Sequence, residues 1–199
     1  MKKQIDYYVS IISPWTYLGD DRLNTIASEE NAKINIKPIN FAIVFPKTGG
    51  LPLAKRAAAR KAYRMQELQR WQKHLEIPLN FEPAFFPASE WPAAGMIITA
   101  KKIGLNAGKL LNGFLTAVWA EDQNIADPKT LLSIADKLDL DGLTLLNETE
   151  NNPEIKIAWE TNSNDALAAG VFGAPTYVID GQLFWGQDRL DFVQRALSG

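Results

Sequence analysis

The chain has 199 residues, enough to bury a sizeable core in one domain with an insertion or in two closely packed lobes. Its 21 lysines and arginines against 23 aspartates and glutamates leave a formal net charge of -2, which offers no electrostatic footprint for nucleic acid. It contains no cysteine, so disulfides, a cysteine nucleophile and thiolate metal sites are excluded. In chain order, Lys2-Lys3 is followed by Gln4, Asp6, Tyr7 and Tyr8 instead of an apolar core, so no secretory signal is read. No apolar run approaches the ~20 residues of a membrane span, and a cytoplasmic protein is expected. Gln4–Val9 alternates, with β-branched and aromatic residues, and predicts a strand. Ser13-Pro14 opens a helix to about Glu30, because serine is a favoured N-cap and proline a favoured first helical residue. A second strand over Ile34–Phe41 completes a strand-helix-strand unit with parallel pairing.

Phe45–Pro52 is punctuated by Gly and Pro and reads as a loop, followed by an Ala-rich helix over Leu53–His74. The proline-containing span Ile77–Ser89 reads as an extended connection. Helices are expected at Trp91–Ile103, Ala107–Glu121, Pro128–Leu138, Leu143–Asn151 and Pro153–Ala169, the second from Leu110, Leu111, Phe114, Val118 and Trp119 repeating at three and four residues. The stretch Gly170–Arg189 then carries a Gly-Ala-Pro-Thr turn, an apolar strand from Thr176, an Asp180-Gly181 turn of the primed type and a return strand over Leu183–Trp185. Asp188 is placed to cap a closing helix containing Leu190, Phe192, Val193 and Leu197. The fold class expected is α/β, a mixed four-stranded sheet split by a helical insertion.

Four blocks in this order, SPWTYLG, RKAYRMQELQRW, AVWAEDQNIAD and GVFGAPTYVIDGQLFWGQDRL, resemble the 2-hydroxychromene-2-carboxylate isomerase family, a relative of the kappa-class glutathione transferases, and the match spans nearly the whole chain. The resemblance implies a thioredoxin-like domain formed by residues 1–45 and 166–199, an all-helical domain at 46–165, a homodimer, and glutathione as cofactor. The activity implied is glutathione-dependent isomerisation of a small aromatic electrophile, as in aromatic catabolism. The alternatives are a kappa-like transferase and a non-catalytic protein that binds glutathione or a peptide.

Ser13 is the catalytic candidate. Where redox relatives of this fold have two cysteines separated by two residues, this chain has Ser13, Pro14, Trp15 and Thr16, so redox cycling by the protein is excluded. The resemblance implies that Ser13 meets the sulfur of glutathione. A free thiol has a pKa of about 8.5. A hydroxyl donated to the thiolate contributes about 1.5 to 3 kcal/mol and a helix N-terminus about 0.3 to 1, which together lower that pKa by about one to three units. Local sequence alone makes Ser13 a helix cap, and the two roles are compatible.

The resemblance makes Pro175 a cis proline that presents Ala174 to an extended peptide, and puts Gln187 and Asp188 at the γ-glutamyl end of the ligand. Gln187 stands where the family commonly has Ser or Asn, and Gly50 where it often has Asn. Arg60, where relatives often carry Lys, is a candidate for the glycyl carboxylate, and Lys47, Arg64 and Trp15 are substrate candidates. From Lys55 to His74 the chain has seven Lys or Arg and one acid, Glu67, which falls at helical spacing from Arg70; most such runs are solvated faces. His74 is the sole histidine, which leaves no His-based metal cluster, and it is expected to be exposed. Trp91 and Trp185, with Trp15, could line an aromatic pocket or pack in the core.

Overall fold

The alternation in Gln4–Val9 forms β1, which sends Ile5, Tyr7 and Val9 into the main core and Tyr8 into a second, smaller one. A strand buried on both faces in this way belongs at the centre of a sheet. In the computed structural model, which describes residues 3–199, β1 pairs in parallel with β2 (Lys33–Pro38) and antiparallel with β3 (Thr176–Ile179). Strand β4 (Gln182–Trp185) closes the order β2-β1-β3-β4. Met1 and Lys2 lie outside the described residues, so half of the amino-terminal lysine pair is not covered. The β3–β4 turn has Asp180 at φ 49° and Gly181 at φ 79°, the paired positive values of a primed turn. Tyr7 and Tyr177 are direct partners in the ladder and stack at 5.3 Å between ring centroids.

The helices are α1 (Pro14–Glu29), α2 (Phe41–Thr48), α3 (Ala58–Leu75), α4 (Trp91–Lys102), α5 (Ala107–Trp119), α6 (Pro128–Lys137), α7 (Gly142–Asn151), α8 (Pro153–Ala168) and α9 (Leu190–Ser198). One device starts three of them. Ser13-Pro14, Asp127-Pro128 and Asn152-Pro153 each pair a capping side chain with a proline whose missing N–H costs nothing in the first turn. Phe114, Trp119, Leu131 and Leu145 from the helices share one continuous core with Ile5, Tyr7 and Tyr177 from the sheet. Each such side chain contributes about 1.5 to 3 kcal/mol by leaving water. No helix of the described residues is long and apolar enough to cross a membrane, and no His/Cys/Asp/Glu cluster among them could hold a metal ion.

Four sequence expectations are corrected. The second strand ends at Pro38, not Phe41, and the first half of the expected loop at Phe45–Pro52, Phe45–Thr48, is the end of helix α2. Asn40 caps that helix through Ala42 N, and Pro46 sits inside it. The single helix expected over Leu53–His74 is a 3-10 turn at Leu53–Lys55 followed by α3, because Arg56 and Ala57 are extended at ψ 148° and 146°. Asp188 does not cap the closing helix: it lies within a 3-10 turn, Gln187–Arg189, and α9 starts after Arg189 with no side-chain cap.

Candidate active site

Ser13 ends the loop between β1 and α1 in extended conformation, φ -97° and ψ 115°, so its side chain folds back over the first turn of α1. Its Oγ accepts from Thr16 N at 3.4 Å and donates to the Ala174 carbonyl at 3.0 Å. The residue is 7% exposed. The Ala174–Pro175 peptide is cis, the geometry that the resemblance implies. The Thr16 hydroxyl, in the same first turn, is buried without a hydrogen-bond partner among the described residues.

From this point a chain of contacts crosses the sheet end. The Pro175 carbonyl accepts from Gly186 N at 2.9 Å, and Gly186, at φ 100°, turns the chain into the Gln187–Arg189 segment. Gln187 is buried, and its Oε1 accepts from Arg22 Nη1 at 2.8 Å. Arg22 also lies 5.7 Å from the centroid of the Trp71 ring, joining α1, α3 and the exit turn. The close approach of α1 to this turn requires Gly19, where an added Cβ would stand 2.7 Å from Gln187 Cβ and 3.0 Å from the Tyr177 hydroxyl. Asp188 is exposed and pairs with Arg189 at 3.0 Å, a surface pair of little energetic weight.

The structure therefore joins Ser13 directly to Ala174, and Pro175, through Gly186, to the turn that carries Gln187 and Asp188. The basic candidates sit elsewhere along the chain. Arg60 is exposed and Arg64 half-buried on α3, one and two turns on from Arg56. Burial pushes the Arg64 guanidinium down to about 10, the charge of Arg56 adding to it, and burial followed by the charge of Arg60 lowers Arg56. No ion pair among the described residues involves these three arginines. Glu67 and Arg70 do form the pair expected from their spacing. Lys47 is exposed in the last turn of α2, and Trp15 is half-buried in the first turn of α1. Gly50 packs against the Phe45 ring, whose Cδ1 would lie 2.2 Å from an added Cβ, so packing alone explains a glycine there. His74 is exposed and meets the edge of Trp71. Trp91 packs 5.3 Å from the buried Trp159, while Trp185 is exposed and meets Phe172 at 4.7 Å.

Two acids that sequence reasoning missed underlie the site. Asp20 is buried in α1 and takes hydrogen bonds from Tyr7 at 3.2 Å and Asn112 at 3.1 Å. Burial raises it to about 6, against the pull of those bonds. A signal was present, since Ser13, Thr16 and Asp20 fall at helical spacing on one face. Glu90, the residue before α4, accepts from Ser10 Oγ at 2.9 Å, Ile11 N at 2.6 Å and Ile12 N at 3.3 Å. Burial pushes its carboxyl up to about 7. Nothing in the sequence marked Glu90 or Arg22.

A hydroxyl at a helix start, a main-chain carbonyl beside it and a tight glycine-led turn form a backbone-rich surface suited to an extended, peptide-like ligand. The chain matches the model of the DSBA-like thioredoxin domain over residues 4–198. It is 30% identical to a 2-hydroxychromene-2-carboxylate isomerase of Sphingobium xenophagum over 198 residues, covering 99% of each chain. A solved 2-hydroxychromene-2-carboxylate isomerase superposes with a TM-score of 0.83 at 26% identity, over 98% of this chain and 94% of that one. Human glutathione S-transferase kappa 1 is 22% identical over 210 residues, covering 100% of this chain and 92% of the relative.

Proposed function

The chain belongs to the DSBA-like thioredoxin family and groups there with 2-hydroxychromene-2-carboxylate isomerases, and from that premise we propose that it is a glutathione-dependent isomerase of a small aromatic electrophile. The observation that carries the reading is the Ser13 hydroxyl set 3.0 Å from the Ala174 carbonyl at the N-terminus of α1. These are a donor, a backbone edge and a helix dipole of the kind that holds a thiolate-bearing peptide.

Bound glutathione would supply a thiolate able to add to and leave a conjugated carbon, which divides a hard isomerisation into easier steps. Ser13 rotates its O–H from Ala174 toward the anion and, with the first amides of α1, holds the thiol deprotonated near neutral pH. Ala174 and Pro175 hold the peptide backbone. The exit turn at Gln187 and Asp188 takes the γ-glutamyl end through its main chain, since the Gln187 side chain is spent on Arg22. Arg60 takes the glycyl carboxylate, and Arg64, with Lys47 and Trp15, the substrate. Gly50 provides only main chain. The kappa-like transferase reading uses the same groups and is supported by the full-length similarity to glutathione S-transferase kappa 1.

The proposal extends to a cytoplasmic homodimer and to a thioredoxin-like unit of residues 1–45 and 166–199 carrying a helical domain at 46–165. Calorimetry with millimolar glutathione tests the core of it: heat of binding and a raised Tm are expected, and a protein that shows neither rules out both enzymatic readings. Product analysis with a chromene carboxylate and with a chlorinated aromatic then separates isomerase from transferase. Light scattering checks the dimer.

A further inference from the structure

Between β1 and Ser13 the main chain passes through Ser10, Ile11 and Ile12, of which Ser10 and Ile11 are fully buried. Amides in such a loop require acceptors within the protein. They find one in a side chain about eighty residues away: a single oxygen, Glu90 Oε2, takes both the Ile11 and the Ile12 amide and also the Ser10 hydroxyl. The Ile11 carbonyl in turn accepts from the Trp119 indole at 3.0 Å. The segment that delivers Ser13 is thus gripped by its donors from the start of α4 and by its acceptor from the end of α5.

We propose that Glu90 is a positioning residue for Ser13, its carboxylate fixing the β1–α1 loop and hence the placement of the Ser13 hydroxyl and the first amides of α1. The proposal rests on the reading of Ser13 given above. Ordinary helix capping does not account for Glu90, because it sits before α4 at φ -81° and ψ -17° and makes no cap bond to its own helix. An ion pair does not account for it either, since none among the described residues includes it.

The neighbouring elements leave Glu90 without an opposing charge. The loop contributes Ser10, Ile11, Ile12 and Ser13, and α5 contributes Trp119. From α8, Lys156 places its Nζ over the rings of Trp91 and Trp159, at 4.2 and 4.5 Å from their centroids. With burial dominant, the carboxyl titrates at about 7. Ionised, it offers three charge-assisted bonds to the loop; protonated, it is a weaker acceptor. The grip on Ser13 therefore tightens as pH rises through neutrality.

Glu90→Gln keeps an acceptor oxygen and the side-chain shape, while Glu90→Ala removes the grip. Backbone amide NMR of the glutathione-free protein is the first measurement. The Ile11 and Ile12 resonances of wild type are expected to titrate near pH 7, and the titration is expected to vanish in Glu90→Gln. The second measurement is the kcat profile with glutathione. Displacing a catalytic group by about 1 Å costs up to about 100-fold, so kcat should fall about 3- to 10-fold in Glu90→Gln and about 10- to 100-fold in Glu90→Ala, while the Kd for glutathione moves less than about threefold. The profile of Glu90→Gln should also lose the component of its acid limb that titrates with Glu90 near pH 7, leaving that of the glutathione thiol. Static amide resonances in wild type, or a Glu90→Gln enzyme with wild-type kcat and pH profile whatever its Tm, would overturn the proposal. Should Glu90→Ala not fold, Glu90→Gln decides alone. If wild type binds no glutathione, the reading of Ser13 fails, and the amide titration still decides whether Glu90 holds the loop.

Discussion

Two helix starts face the chemistry of this protein in opposite ways. At the head of α1, a serine caps the helix, a proline fills its first position, and the hydroxyl proton is already engaged by Ala174. At the head of α3, Ala57 provides no cap, and Arg56, Arg60 and Arg64 follow one another at four-residue intervals with no carboxylate in an ion pair with them. The positive end of a helix dipole beside unpaired guanidinium groups is electrostatically unfavourable until an anion arrives. The first start is satisfied within the chain, whereas the second has neither a side-chain cap nor, among the described residues, an ion pair for its arginines.

Breaking the finished start should have the largest effect. Ser13→Ala removes a donor worth about 1.5 to 3 kcal/mol to an anion, so kcat/KM is expected to fall about 10- to 100-fold, with the ultraviolet thiolate band of bound glutathione moving to higher pH by about one to two units. An unmoved thiolate band would leave Ser13 as a cap alone.

Beneath Ser13 on the same helix, Asp20 provides the next largest effect, on stability. Its folded pKa of about 6 lies above the ordinary carboxylate value, so the native state binds the proton more tightly than the unfolded chain. Its stabilising contribution is complete below about pH 4 and is lost as pH rises to about 6, on the order of 3 kcal/mol. Denaturant melts across that window should flatten in Asp20→Asn relative to wild type; parallel curves would refute the assignment.

At the unfinished start, Arg64→Gln should weaken binding of an anionic ligand about tenfold and leave the Tm unchanged or higher, because a half-buried cation without a partner is removed. Titrations at two salt concentrations check this, since the wild-type affinity should carry the steeper salt dependence. Ala57→Ser is the smallest change. It finishes α3 with a cap worth about 0.5 to 2 kcal/mol, and a thermal melt should show the gain.

The mixed four-stranded sheet and most helices were legible because the patterning is local: Ser13-Pro14, Asp127-Pro128 and Asn152-Pro153 announce their helices, and Asp180-Gly181 its hairpin; the strand order was not, since it depends on a pairing across the whole chain. Helix α2 was hidden by Pro46 and by Gly49-Gly50, which read as loop punctuation, although Asn40 supplies its cap. The break before α3 was hidden for the opposite reason, since Leu53 to Ala62 offers nothing but good helix formers. The Ser13–Ala174 proximity was anticipated from motif likeness, whereas Arg22, Glu90 and Trp119 make hydrogen bonds to partners 165, 79 and 108 residues away, a separation that no local pattern encodes.

The position of β1 between β2 and β3 has a consequence for synthesis. Strand β2 and the helices up to α8 all precede β3, and the Ser13–Ala174 bond closes a span of 161 residues. A chain emerging from the ribosome pairs β1 with β2 early, while the other edge of β1 waits for Thr176–Ile179. The seryl hydroxyl gains its carbonyl partner only after residue 174 has been made. A stalled or clipped product ending before Ala174 therefore lacks the Ser13–Ala174 bond, however well its helices have formed.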